Sequence, residues 1–139
     1  MKVQQIMSHN VECIEPTTPI AKAAQKMRDM DIGFLAVCEE EGLVGTVTDR
    51  DITIRSVAQG RDPRLAPVEE IMTPTAFHCY EDEDVEQVGK YMKEKEVRRM
   101  LIMNREEKLV GVVSIGDIAK TSGEQQLAGE TLGQIAEAA

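Results

Sequence analysis

The sequence predicts a mixed α/β (α+β) fold made of two like β-α-β-β-α units, and three observations predict it. The chain of 139 residues is written twice, because residues 3–52 and 68–118 follow one template. Each copy ends in the same short phrase: Gly45-Thr46-Val47-Thr48-Asp49-Arg50-Asp51, then Gly111-Val112-Val113-Ser114-Ile115-Gly116-Asp117. Within each copy, an apolar pattern of helical period is followed by two short apolar runs joined by a polar turn. A repeat of this length marks paired or stacked supersecondary units.

The copies align with an offset of 65, which matches Val3 with Val68, Ile6 with Ile71, Met7 with Met72, Ser8 with Thr73, Met27 with Met92 and Ile32 with Val97. The turn of the second copy holds one extra residue, after which Leu43-Val44-Gly45 meets Leu109-Val110-Gly111 and Asp51-Ile52 meets Asp117-Ile118. Each copy opens with an extended stretch, Val11 to Ile14 and Ala76 to Cys79. A helix follows. Turn and cap residues Pro16-Thr17-Thr18-Pro19 start it in the first copy, and the acidic run Glu81-Asp82-Glu83-Asp84 suits a helix N-terminus in the second. Ile20, Ala23, Ala24 and Met27 share one face, as do Val85, Val88, Gly89 and Met92.

Phe34 to Val37, the turn Glu39 to Gly42, and Leu43 to Val47 predict a hairpin; Met100 to Met103, Asn104 to Lys108, and Leu109 to Val113 predict its twin. A last helix begins at Asp49 and again near Ile115. Gly and two Pro make residues 59–67 a connector. The expected organisation is therefore one unit over 1–58, the connector, a second unit over 68–120 and a tail over 121–139. In the tail, Leu127, Leu132 and Ile135 fall on one apolar stripe, but Gly129 and Gly133 weaken any long helix.

Hydrophobic residues make up 42% and charged residues 29%, the balance of a globular chain. There is no Trp and only two Phe and two Tyr, so aliphatic residues and eight Met must fill the core. The net charge is −9; residues 1–66 carry 8 basic and 10 acidic groups, residues 67–139 carry 8 and 15. Such a chain is repelled by phosphate backbones and anionic membrane surfaces, which argues against nucleic-acid and membrane partners. No run approaches the length of a membrane helix and the first residues form no signal peptide, so a cytoplasmic protein is expected. Cys13, Cys38 and Cys79 have no metal-like spacing; Cys13 and Cys38 stand among apolar residues and read as small buried hydrophobes. His9 and His78 occupy non-corresponding positions without partner ligands, so no metal site is expected.

The repeated phrase has two readings. Thr48 with Asp51, and Ser114 with Asp117, sit where a strand gives way to a helix, and a hydroxyl followed three residues later by an acid is close to a capping box. The same atoms suit a ligand: a helix start offers N–H groups to a phosphate, and an acid there can accept both hydroxyls of a ribose. Gly45 and Gly111 permit close approach to the strand. The occurrence of the phrase at corresponding points of both copies makes the binding signal considerably stronger than a single copy would.

Residues 1–120 resemble a tandem pair of cystathionine-β-synthase (CBS) domains, a Bateman module. The resemblance rests on Ile6-Met7-Ser8 and Ile71-Met72-Thr73, on Ile32 to Val37 and Val97 to Ile102, and on the two Gly-to-Asp phrases. It implies two units related by a pseudo-twofold, with sheets packed together and helices outside. It also implies clefts for an adenosine-containing ligand: AMP, ADP, ATP, NAD or S-adenosylmethionine. The resemblance assigns Thr48 and Asp51, and Ser114 and Asp117, to ribose and phosphate. It groups Ser8 and Val11 with Asp117, and Thr73 and Ala76 with Asp51. A homodimer formed through the helices is implied as well.

Two departures stand out. Ala36 and Leu101 occupy a place where the family often has Pro. Arg98-Arg99 has no counterpart in Gly33-Phe34, and adjacent Arg in an acidic chain suit a phosphate clamp or pair with Glu94 or Glu96. No nucleophile or acid–base set is visible, so the expectation is a regulatory, non-enzymatic binding module with no required cofactor, handing its output to a protein partner or to its own assembly. The alternative is an interaction protein whose clefts are vestigial.

Overall fold

The computed structural model describes residues 1–40, 42–74, 77–121 and 125–138. The chain divides into two compact units, one formed by Met1–Val11 with Phe77–Ala139, the other by Glu12–Ala76. Each is a small mixed α+β body. The units are offset from the sequence copies by one segment: the leading residues of each copy pack with the other copy's strands and helices.

The unit Glu12–Ala76 contains β1 (Cys13–Ile14), α1 (Ile20–Met30), β2 (Phe34–Glu39), β3 (Gly42–Thr48), the helical turn α2 (Asp49–Asp51) and β4 (Thr73–Pro74). The strands form one sheet in the order β1-β2-β3-β4. β1 runs parallel to β2, and the other two pairings are antiparallel. The α turn at Asp49 passes directly into a π-helical run, Ile52–Val57, in which Ala58 N–H reaches back to the Thr53 carbonyl at 3.0 Å. The core holds Ile14, Ile20, Ala23, Met27, Leu35, Val37 and Val47 from the first copy, closed by Val68 and Ile71 from the start of the second.

The other unit repeats this plan with β5 (His78–Tyr80), α3 (Val85–Lys95), β6 (Arg99–Met103), β7 (Leu109–Ser114), α4 (Ile115–Ala119) and α5 (Gln125–Ala138). β5 lies parallel to β6, and β6 antiparallel to β7. Val3 and Met7, from the chain start, are buried with Val85, Val88, Met92, Ile102, Val113 and Ile118. Backbone hydrogen bonds reproduce the exchange atom for atom. Val3 N–H donates to Glu83 O at 2.9 Å, and Val68 N–H donates to Thr18 O at 2.8 Å, positions related by the offset of 65.

Both long helices of the repeat stop in the same way. Asp31 (φ 54°) and Glu96 (φ 57°) turn left-handed, and the next residue's N–H bonds back five residues, Ile32 to Met27 at 3.0 Å and Val97 to Met92 at 3.1 Å. The two hairpins and the helix starts at Asp49 and Ile115 fall where the sequence places them.

Two expectations are corrected. Cys13 and Cys38 are not buried hydrophobes: Cys13 is exposed and Cys38 half-buried, while Cys79 is the buried thiol. β1 is an edge strand of two residues, so its alternation turns Cys13 outward and Ile14 inward. The tail does form a 14-residue helix despite Gly129 and Gly133. Packing against α3 and α4 outweighs the propensity penalty, since Thr131 and Ile135 are buried at helical spacing. The Thr131 hydroxyl makes a long hydrogen bond, 3.5 Å, to the Gly89 carbonyl of α3. Leu132, expected in the buried stripe, is 50% exposed, and the Leu127 side chain lies outside the described residues.

A Cβ at Gly129 or Gly133 would meet nothing within 4 Å. Gly129→Ala and Gly133→Ala should therefore each stabilise the chain by about 0.5–1 kcal/mol, read as a higher urea midpoint at unchanged slope.

Candidate functional site

The end of β3 and the end of β7 are built alike. Thr48 has extended backbone (φ −116°, ψ 165°), and its Oγ1 accepts the Asp51 N–H at 3.0 Å while Asp51 Oδ2 accepts the Thr48 N–H at 3.0 Å. Ser114 (φ −112°, ψ 165°) and Asp117 repeat the exchange at 3.1 and 2.8 Å. Both phrases are thus true capping boxes, with Asp in place of the longer Glu. One oxygen of each acid is committed to the backbone. The other oxygen of Asp51, Oδ1, lies 3.8 Å from Arg55 Nε, an ion pair too long for a hydrogen bond.

The glycine that opens each phrase has a packing reason. A Cβ on Gly45 would stand 2.8 Å from the Thr73 carbonyl oxygen and 2.9 Å from Met72 Sδ. A Cβ on Gly111 would stand 2.9 Å from the Ser8 carbonyl oxygen and 2.6 Å from Met7 Sδ. The leading Met-Thr or Met-Ser segment therefore presses on bare backbone. Thr73 pairs with Thr46, two residues before Thr48. Ser8 and Val112 exchange backbone hydrogen bonds of 2.8 and 3.0 Å, two residues before Ser114.

The structure accordingly brings Ser8 into the unit of Ser114 and Asp117, and Thr73 into the unit of Thr48 and Asp51. Val11 is half-buried and closes the segment that begins at Met1. Ala76 lies outside the described residues. Arg98 and Arg99 are both exposed. Arg99 stands directly across from Ser114, as Phe34 stands across from Thr48, while the Arg98 carbonyl accepts the Ile115 N–H at 3.1 Å. Cross-strand partners share a face, so Arg99 rather than Arg98 shares the face of the Ser114 hydroxyl.

Three features escaped the sequence reading. Arg55 ties the π-helical run to the incoming segment through long bonds to the carbonyls of Ile71 (3.4 Å) and Met72 (3.3 Å). Its spacing of four from Asp51 was the available signal. Asp49 adds a second acid at the first site, with its carboxylate 3.0 Å from where a Gly33 Cβ would be. The second copy has Arg98 and Ile115 at those places, so the two sites differ in charge. Third, β4 is a strand pairing that two residues do not announce. Two depressions among the described residues, about 380 Å³ beside Glu15, Thr17, Cys38 and Glu69 and about 290 Å³ beside His78, Cys79 and Tyr91, take in neither capping box. Among the described residues no cluster of His, Cys, Asp and Glu could hold a metal ion. No described helix is long and apolar enough to cross a membrane.

The CBS domain family model matches residues 3–57 and 68–124. The chain is 33% identical to the CBS domain-containing protein YhcV of Bacillus subtilis over 96% of this chain and 94% of that protein. It is 35% identical to Hypoxic response protein 1 of Mycobacterium tuberculosis over 84% of this chain and 82% of the relative. Among solved structures, the CBS domain pair of protein MJ0100, in complex with 5′-methylthioadenosine and S-adenosyl-L-methionine, superposes with a TM-score of 0.74 at 27% identity, covering 86% of this chain and 94% of that one.

Overpacking at the glycines gives a direct test of the leading-segment contact. Gly45→Ala and Gly111→Ala should each cost about 1–3 kcal/mol in urea unfolding, because the opposing atoms include backbone carbonyls that cannot swing aside.

Proposed function

The chain belongs to the CBS-domain family, and on that premise we propose that it is a regulatory module that binds an adenosine-containing metabolite and catalyses no reaction. The observation that carries this reading is the pair of capping boxes, each at the end of a strand against which a leading segment is held two residues earlier. Thr48 and Asp51 form one site with Thr73 and Ala76. Ser114 and Asp117 form the other with Ser8 and Val11. At each, the acid's oxygen that is not bonded to the cap N–H takes ribose hydroxyls, the hydroxyl side chain donates its own proton to phosphate, and the leading segment contacts the base. The MJ0100 complex supports the ligand class. AMP, ADP, ATP, NAD and S-adenosylmethionine are the candidates.

Binding stabilises whichever arrangement of the chain or its assembly makes the better contacts, and this differential affinity is the signal. Exposed Ile54 (47%) and Val57 (65%), three residues apart on the π-helical run, support a homodimer surface or a protein partner. The cell interior is the expected place of action.

Thermal unfolding with each ligand tests the reading. A ligand at 100 times its Kd should add about 2.7 kcal/mol, and the gain should vanish in the Asp51→Ala, Asp117→Ala double variant. Loss of the caps alone should cost the ligand-free chain about 1 kcal/mol per site. No shift with any of the five ligands would favour an interaction protein with vestigial sites.

The sites should also differ. Arg99 shares the face of Ser114, whereas Asp49 adds negative charge at the other site. Arg99→Ala should therefore weaken ATP about tenfold or more and adenosine little, measured by calorimetry, as expected for a lost guanidinium–phosphate contact. Equal losses for both ligands would contradict a phosphate role.

A further inference from the structure

The sulfurs of Cys13 and Cys38 lie 2.9 Å apart, although the residues are 25 positions apart in the chain. Cys13 is paired with Ala36 across the parallel β1–β2 ladder, and alternation places Cys38 on the same face two residues along. A register irregularity between Val37 and Cys38 accompanies this approach. Closing a disulfide would require the sulfurs to move about 0.9 Å nearer, to the usual bond length of about 2.05 Å. Nothing in the fold demands thiols here. The second copy makes the same parallel pairing with His78 at the place of Cys13 and Met103 at that of Cys38.

We propose that Cys13 and Cys38 form a dithiol–disulfide site, with exposed Cys13 as the attacking thiol and Cys38 as the resolving thiol. The site is separate from the capping boxes: Cys38 is four residues along β2 from Phe34, the partner of Thr48, or about 13 Å of strand.

The environment divides the roles. The hydrogen bond with Cys38 lowers the Cys13 thiol to about 7, with Lys26 assisting, while desolvation and Glu12 oppose it. Cys38 is pushed up, chiefly by the same hydrogen bond from the other side and then by burial. The shared hydrogen bond favours a thiolate on Cys13 and a proton on Cys38, in line with the exposure of Cys13. Cys79 is held apart: burial pushes its thiol up to about 12.

With a small-molecule disulfide as oxidant, the Cys13 thiolate attacks one sulfur and expels the other as a thiolate, leaving a mixed disulfide. Cys38 then transfers its proton to solvent and attacks Cys13 Sγ. The Cys13–Cys38 bond forms and the second small thiol leaves. The protein loses two electrons and two protons, and the oxidant becomes two thiols. Cys13, the attacking thiol, is exposed, so a small reagent reaches it directly.

The test uses the reduced full chain incubated with oxidised glutathione, then freed of reagent. Its three thiols should fall to one, the mass should drop by two hydrogens, and peptide mapping should join Cys13 to Cys38. Dithiothreitol should reverse all three. Cys38→Ser should stop at a glutathione adduct on Cys13, and Cys13→Ser should remain unmodified at position 38. Persistence of three thiols, a wild-type chain arrested as the glutathione adduct, or a cross-link through Cys79 or between two chains would overturn the proposal. The wild-type mass and peptide map decide the matter even if either variant fails to fold. Nucleotide binding is not needed for any of these readouts.

Discussion

Each unit of this chain is completed by the leading segment of the other sequence copy. Val3 is fully buried among strands and helices of residues 77–139, and Val68 and Ile71 are fully buried among those of residues 12–76. Full burial of such a side chain is worth about 1.5–3 kcal/mol, so a copy that kept its own leading segment unplaced would forfeit a substantial part of a marginal stability. The exchange also explains Gly45 and Gly111. The incoming segment lies so close to the strand that no side chain fits beneath it, and the glycine of the repeated phrase is a packing requirement before it is anything else.

From that constraint follows the shared character of the candidate sites. The segment that completes the core also delivers Thr73 beside the Thr48 cap and Ser8 beside the Ser114 cap. The caps themselves are fully formed without ligand, since hydroxyl and carboxylate each satisfy a backbone N–H that the helix start leaves open. The cap uses Asp51 Oδ2 and leaves Oδ1 with a long ion pair to Arg55.

The two copies have diverged where the fold permits. Gly33 with Asp49 in one becomes Arg98 with Ile115 in the other, and Arg55 becomes Thr121, whose hydroxyl donates to the Asp117 carbonyl at 3.3 Å. Cys13 and Cys38 are likewise the property of one copy. Core positions such as Ile20 and Val85, Met27 and Met92, and Val47 and Val113 keep their apolar character across the repeat, whereas positions such as Gly33 and Arg98 or Cys13 and His78 carry different chemistry. That pattern is expected when burial constrains residue type and the surface does not.

Period, turn and cap residues made the repeat, the hairpins, the principal helices and the capping boxes legible, because each depends on neighbours within a few positions. Thr48–Asp51 and Ser114–Asp117 are contacts across three residues, and spacing alone reveals those. Which of Arg98 and Arg99 shares the face of Ser114 needed the register of β6 on β7, and the helix at 125–138 needed α3 and α4 to outweigh its glycines. The thiol pair joins residues 25 apart, and the outward turn of Cys13 follows from its place on an edge strand. Local order is written in adjacent residues. Which distant groups meet, and which of them face water, was decided only when the strands paired.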